Sequence, residues 1–205
     1  MRLFVAIEVP EPPRREVRRR VDALRDRLPR ARWVDLNESL HLTLLFLGET
    51  PEPGVPALPA LDAGLREAFA RCPPLDLRLE GGGTFPPGRP ARVAWVGVAA
   101  PDELLALQEA ITRAAVETLG FEPEERDYHP HVTLARCPDP WRREAIEKFR
   151  NAFTGPVGPP FVAGRGVLFE SKLSPKGARY REIAAFPMAE FPLAGVHGDD
   201  EEAAE

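Results

Sequence analysis

Cysteine is nearly absent from this sequence. Of 205 residues only Cys72 and Cys137 are thiols, too few for a disulfide framework. No run approaches the ~18 consecutive apolar residues that a membrane-spanning helix needs. Met1–Pro10 has no basic-then-apolar secretory pattern and reads as a strand that begins at once. A reducing cytoplasm and no membrane partner are therefore expected. Lysine is scarce, with three residues against 24 arginines, and only four histidines are present: His41, His129, His131 and His197. Gly81-Gly82-Gly83 is not followed by Gly-Lys-Ser/Thr, which excludes a phosphate loop of that type.

What is present suffices for a sizeable core, since 43% of residues are apolar. The net charge of −5 is unevenly spread. Five acids and no base lie in residues 199–205, which read as a solvated, disordered tail, and residues 1–198 balance to zero. Residues 14–32 hold nine arginines against Glu16, Asp22 and Asp26. These arginines would either form a solvated helix face or guide phosphates.

The pattern predicts a strand over Arg2–Val9. A helix opened by Pro12 and Pro13 carries Val17, Val21, Leu24 and Leu28 at helical spacing, and Pro29 stops it. Trp33–Asp35 and Leu40–Leu47 read as extended, residues 51–60 as a proline-rich loop, and the stretch from Leu58 through Phe69 as a helix. Leu75, Leu77 and Leu79 alternate with charged residues, as in a half-buried strand. Gly81–Arg92 reads as a Gly/Pro loop, Val93–Val98 as a strand, and Asp102 to Gly120 as a helix. Val132–Ala135 reads as extended. Asp139 with Pro140 reads as the start of a further helix, residues 154–160 as a loop, and Val167–Glu170 with Tyr180–Ala185 as a final strand pair. The alternation implies an α/β or α+β domain with mainly antiparallel sheets.

Two of the four histidines open the same tetrapeptide. His41-Leu42-Thr43-Leu44 and His131-Val132-Thr133-Leu134 stand 90 residues apart. With seven threonines in the chain, such a coincidence at two of four histidines is on the order of a 1% event. In a strand, residues i and i+2 leave the same face. Each motif therefore projects one imidazole and one hydroxyl, and turns its apolar residues to the core. Brought together, the two would supply an acid, a base and two hydrogen-bond donors for attack on a phosphodiester without a metal. A single strand histidine is more often a hydrogen-bonded structural residue; the repetition favours a joint role. A metal set of His41, His129, His131 and Asp127 is the alternative, although no cysteine or carboxylate completes a recognisable pattern. His197, beside the acidic tail, reads as inert.

These residues resemble the two-histidine phosphoesterase superfamily, and within it the RNA 2′,3′-cyclic phosphodiesterases, also called 2′-5′ RNA ligases. The resemblance covers most of the chain. It includes Arg2-Leu3-Phe4-Val5-Ala6-Ile7, Arg32-Trp33-Val34, His41 through Gly48, Tyr128 through Arg136, Leu168-Phe169-Glu170-Ser171 and Gly177-Ala178-Arg179-Tyr180. The chain departs from the family where His129 stands in place of the usual phenylalanine, and the acidic tail lies outside the likeness.

The resemblance implies an α+β fold of two pseudo-symmetric lobes. Each would be an antiparallel sheet flanked by helices, and the two would face each other across a central cleft. Residues 1–198 would form this one bilobal domain. The resemblance also implies His131 as the base that activates water, His41 as the acid for the departing 3′ oxygen, and Thr43 and Thr133 as donors to the non-bridging oxygens. Arg136 fits the family's His-x-Thr-x-x-Arg extension, where its guanidinium would neutralise charge. Strict alternation puts it on the wrong face, so a bend or bulge is required. Phe46, Phe85, Tyr128 and Tyr180 are candidates for base stacking or for rim packing. No cofactor and no metal is expected, and a monomer acting on RNA with a 2′,3′-cyclic phosphate end. A small cyclic nucleotide is the alternative substrate, and non-catalytic RNA-end binding the alternative function.

Overall fold

A computed structural model of the chain describes residues 1–37, 40–50, 57–87, 90–99, 101–174 and 177–189. The expectations for residues 51–56, His197 and the acidic tail fall outside the described residues. The first half runs β1 (Arg2–Glu8), α1 (Glu11–Leu24), a 3₁₀ turn (Arg25–Arg27), β2 (Arg32–Trp33), β3 (His41–Glu49) and α2 (Ala57–Ala70). It continues with β4 (Leu75–Phe85), β5 (Ala91–Ala99), α3 (Asp102–Leu119), β6 (His131–Trp141) and α4 (Arg143–Ala152). β7 (Phe161–Ala163), β8 (Arg165–Ser174) and β9 (Gly177–Pro187) complete it.

The strands form one curled antiparallel sheet in the order β7-β4-β5-β6-β3-β1-β8-β9, with β2 added to β6. β1 sits between β3 and β8 and is buried on both faces from Leu3 to Ile7. That explains its unbroken apolar run. The order is palindromic in role. β3 and β6 each start with a His-x-Thr motif and meet at the centre, flanked by β1 and β5, then by β8 and β4, then by β9 and β7. The helices cross over: α2 and α3 pack together over the β3–β9 half, and α1 and α4 over the β4–β6 half. This is the expected pair of lobes, joined along β3 and β6 into one continuous sheet.

Two local expectations need correction. The first concerns Gly81–Arg92, whose first part is strand, because β4 continues to Phe85. Its glycines answer close approach from both sides. A Cβ on Gly82 would lie 2.7 Å from the Phe153 Cβ, and one on Gly83 would lie 2.1 Å from the Trp95 ring.

The second concerns Asp139 and Pro140, which belong to the end of β6, so α4 begins only at Arg143. Trp141 holds the strand out to that point. It is fully buried, pairs with Ala91, and its Nε1 donates to the Pro29 carbonyl at 3.2 Å. The sequence carried no expectation for β7, a short edge strand on β4 with too few residues to show a period.

Candidate active site

β3 and β6 are in register at one pair, Leu42 opposite Val132. Both residues are buried and both are the middle residue of their His-x-Thr motif. The antiparallel register therefore sets His41 across from Thr133 and Thr43 across from His131, all four on the face opposite the core. The burial string of each motif alternates half-buried and buried in the same way. The histidines are diagonal neighbours, which places the two residues about 7–8 Å apart in a regular ladder, with their Cβ atoms somewhat closer.

Beyond this pair the two strands part, and each carries a bulge at the same point. Along β1–β3 the register steps from Ala6–Thr43 to Val5–Leu45 and skips Leu44. Along β5–β6 it steps from Trp95–Thr133 to Ala94–Ala135 and skips Leu134. A bulge shifts the alternation by one residue. It brings Phe46 and Arg136, each five residues after its histidine, onto the face of the motifs. Both are exposed.

His131 has its Nδ1 2.7 Å from the carbonyl oxygen of His129. A carbonyl can only accept, so Nδ1 carries the hydrogen and Nε2 presents the lone pair. Burial lowers the His131 pKa, the backbone bond works in the opposite sense, and the charges of His129 and Arg126 lower it further. The ring is thus held neutral and basic at Nε2. Its walls are Phe85 at 5.0 Å, Trp95 at 5.9 Å and His129 at 6.2 Å between centroids. His41 has a matching enclosure of Phe4 at 4.9 Å, Tyr180 at 5.1 Å and Phe169 at 6.4 Å. Its partner across β1 is Glu8, which accepts from Arg165 at 2.7 Å.

Tyr128 ties the halves together. Its hydroxyl donates to the Thr43 carbonyl at 2.9 Å, and burial raises its pKa. The tyrosine is a strut whose ring edge reaches the site. Phe46, Phe85, Tyr128, His129, His131 and Thr43 share a cavity of about 520 Å³ with α3 and the segment before β6. His41, Thr133, Arg136 and Tyr180 lie outside that cavity. The cavity exists because the repeat is broken here. In the first half the segment before the motif strand supplies β2, which fills the bulged edge of β6; in the second half residues 121–128 line the opening beside β3 without joining it.

Sequence reasoning missed Trp95. It is the cross-strand partner of Thr133, it packs 4.7 Å from His129, and its Nε1 is a buried donor with no partner among the described residues. The signal was available in Gly83, its neighbour on β4, which leaves room for the indole. Of the helix arginines, Arg14, Arg18, Arg19 and Arg20 turn out to be engaged. Arg14 and Arg18 reach Asn37 at 2.6 Å each, and Arg20 donates to the Pro156 carbonyl at 2.7 Å. Hydrogen bonds from Arg19 and then Arg20 hold the Glu16 carboxyl down at about 2. Among the described residues, no group of three or more His, Cys, Asp or Glu side chains is arranged to hold a metal ion.

An antiparallel fold built twice around a His-x-Thr strand, its copies meeting at the histidines, is that of the two-histidine phosphoesterases. The family model of the 2′-5′ RNA ligase superfamily matches residues 10–157, and the chain belongs to that superfamily. It is 32% identical over 190 residues to an RNA 2′,3′-cyclic phosphodiesterase of Methanothermobacter thermautotrophicus, covering 91% of this chain and 98% of the relative. It is 33% identical to one of Thermus thermophilus, covering 98% and 94%. A solved Thermus thermophilus structure superposes with a TM-score of 0.73 at 31% identity, covering 93% of this chain and 100% of that one. Escherichia coli LigT in its apo form gives 0.71 at 25% identity, covering 92% and 98%.

Proposed function

We infer that the protein is a hydrolase that opens 2′,3′-cyclic phosphates at RNA ends and leaves 2′-phosphates. The observation that carries this reading is the Leu42–Val132 register pair. It sets one imidazole on each side of a central gap, with a threonine hydroxyl across from each. A cyclic phosphate in that gap has a group on either flank, as in-line displacement demands. His131, neutral with its lone pair on Nε2, takes a proton from water. The oxygen attacks phosphorus and the P–O3′ bond breaks. His41 gives its proton to the departing 3′ oxygen. The hydroxyls of Thr43 and Thr133 donate to the non-bridging oxygens, where negative charge grows in the transition state. Each histidine supplies the order of 10²–10⁴ in rate that acid or base catalysis typically gives.

With the 5′-hydroxyl of a second RNA in place of water, the same displacement of the 3′ oxygen forms a 2′-5′ linkage without ATP, His131 again taking the nucleophile's proton and His41 again protonating the 3′ oxygen. Only in the reverse reaction, where the 3′-hydroxyl attacks and the 2′-5′ linkage is cleaved back to the cyclic phosphate, do the histidines exchange roles, as microscopic reversibility requires. The same proposal takes the enzyme to be a cytoplasmic monomer, a setting that suits two buried free cysteines. The relatives' names favour RNA over a free cyclic nucleotide.

The test is to incubate purified protein with an oligonucleotide ending in a 2′,3′-cyclic phosphate, in excess EDTA, and to identify the product by chromatography. Conversion to the 2′-phosphate is expected. Loss of all activity in chelator, or a 3′-phosphate product, overturns the proposal.

A further inference from the structure

The β2–β6 pairing places Arg32 directly opposite Arg136. Residues directly opposite in an antiparallel pair share a face, so both guanidinium groups stand on the face of the histidine motifs once the β6 bulge has turned Arg136 there. Both side chains are exposed. Neither makes an ion pair or side-chain hydrogen bond to the described residues, whereas Arg18, Arg19, Arg20 and Arg165 each bond a carboxylate. Like charges directly opposite destabilise a sheet, so this pair is not there to hold β2 in place. An anion between them would turn the repulsion into attraction, and paired guanidinium forks suit phosphate oxygens.

The location agrees. Arg136 lies three residues past Thr133, at most about 10 Å along the strand, and the bulge shortens that span. Tyr180, which packs on His41, has its pKa raised by burial, with the charges of Arg136 and Arg2 acting to lower it. Arg136 is thus on the His41 side of the site, away from the cavity beside His131.

We propose that Arg32 and Arg136 form a subsite for the phosphate one nucleotide upstream of the cyclic phosphate, so that the preferred substrate is an RNA strand and not a free nucleoside cyclic phosphate. This rests on the catalytic reading above and adds direction to it. The strand leaves the histidines along β6 toward β2, and the terminal nucleoside lies toward Phe46 and Phe85.

Two substrates test it: a nucleoside 2′,3′-cyclic phosphate, and a dinucleotide ending in the same group. The wild type is expected to favour the dinucleotide in kcat/KM. Arg32→Gln should shrink that preference about tenfold, the scale of one charge-assisted phosphate contact. Arg32→Lys, which keeps the charge and loses the fork, should fall between. Thermal unfolding of Arg32→Gln should come no lower than wild type, since it relieves a repulsion. A preference that is absent in the wild type, or unaltered in Arg32→Gln, overturns the proposal.

Binding provides a readout without turnover. In anisotropy titrations of a single-stranded RNA decamer, Arg32→Gln should flatten the slope of log Kd against log salt by about 0.7, one phosphate's worth for a single strand. An identical slope overturns the subsite. A wild type that binds the decamer with the expected slope difference but opens neither substrate overturns the catalytic reading and leaves the subsite standing.

Discussion

Replacing Gly83 by alanine adds one carbon in the most crowded place beside the site. The new Cβ would fall 2.1 Å from two atoms of the Trp95 ring and 2.6 Å from a third. Carbon atoms at rest stay about 3.5–4.0 Å apart, so the indole must recede by about 1.5 Å. It cannot do so freely, because Phe85 lies at 5.3 Å and His129 at 4.7 Å from it. Overpacking of this kind costs roughly 1–3 kcal/mol. The smaller entropy of the unfolded alanine chain offsets about 0.4–1 kcal/mol of that. A net loss of about 1–2 kcal/mol should lower the melting temperature by roughly 2–8 °C for a chain of this length. The indole is pushed toward His131, 5.9 Å away, and a 1 Å misplacement at a reacting group is worth about 10²-fold in rate. The assay pairs differential scanning calorimetry with kcat on a cyclic-phosphate oligonucleotide. Combining Gly83→Ala with Trp95→Phe, which restores space, should recover part of the melting temperature. If Gly83→Ala melts with the wild type and turns over normally, Trp95 is not a fixed wall of the site.

The pH dependence follows from His131, whose pKa burial lowers from the usual value of about 6.5. The base must be neutral, so kcat/KM should fall with acid only below that value; an acid limb centred above pH 7 contradicts the assignment. The stability sign is the same. A histidine held neutral in the fold opposes folding as pH drops below its unfolded pKa, so His131→Phe should weaken the acid-side loss of stability in denaturant titrations. Tyr128→Phe removes the donor to the Thr43 carbonyl and should cost about 1–3 kcal/mol, read by urea unfolding; no change would show that the strut carries no load.

The centre of the site was legible in the sequence because its signal is local. A His and a Thr two residues apart share a strand face whatever else the chain does, and both motifs keep the half-buried and buried alternation that this implies. The twofold plan came from the family resemblance that the repeated motif carries. Arg136 shows where local reasoning stopped. Its face depends on the bulge at Leu134, which appears only in the register with β5. The glycines of β4 read as a loop because glycine favours turns, yet Phe149 of α4, Phe153 just past its end and Trp95 of β5 close on them. Those partners are distant in sequence. Asp139-Pro140 carries a good helix-start signal that the burial of Trp141 overrides. Trp95 was missed for a related reason, since a lone indole in a strand carries no spacing to distinguish a site wall from core.

The most direct test of the two-histidine account is the kinetics of His41→Ala, His131→Ala and the double variant on one cyclic-phosphate oligonucleotide. Each single change should lower kcat by about 10²–10⁴-fold, and the double variant should lose far less than the product of the two, because acid and base act in one step. A protein that keeps near-wild-type turnover after either substitution contradicts the account.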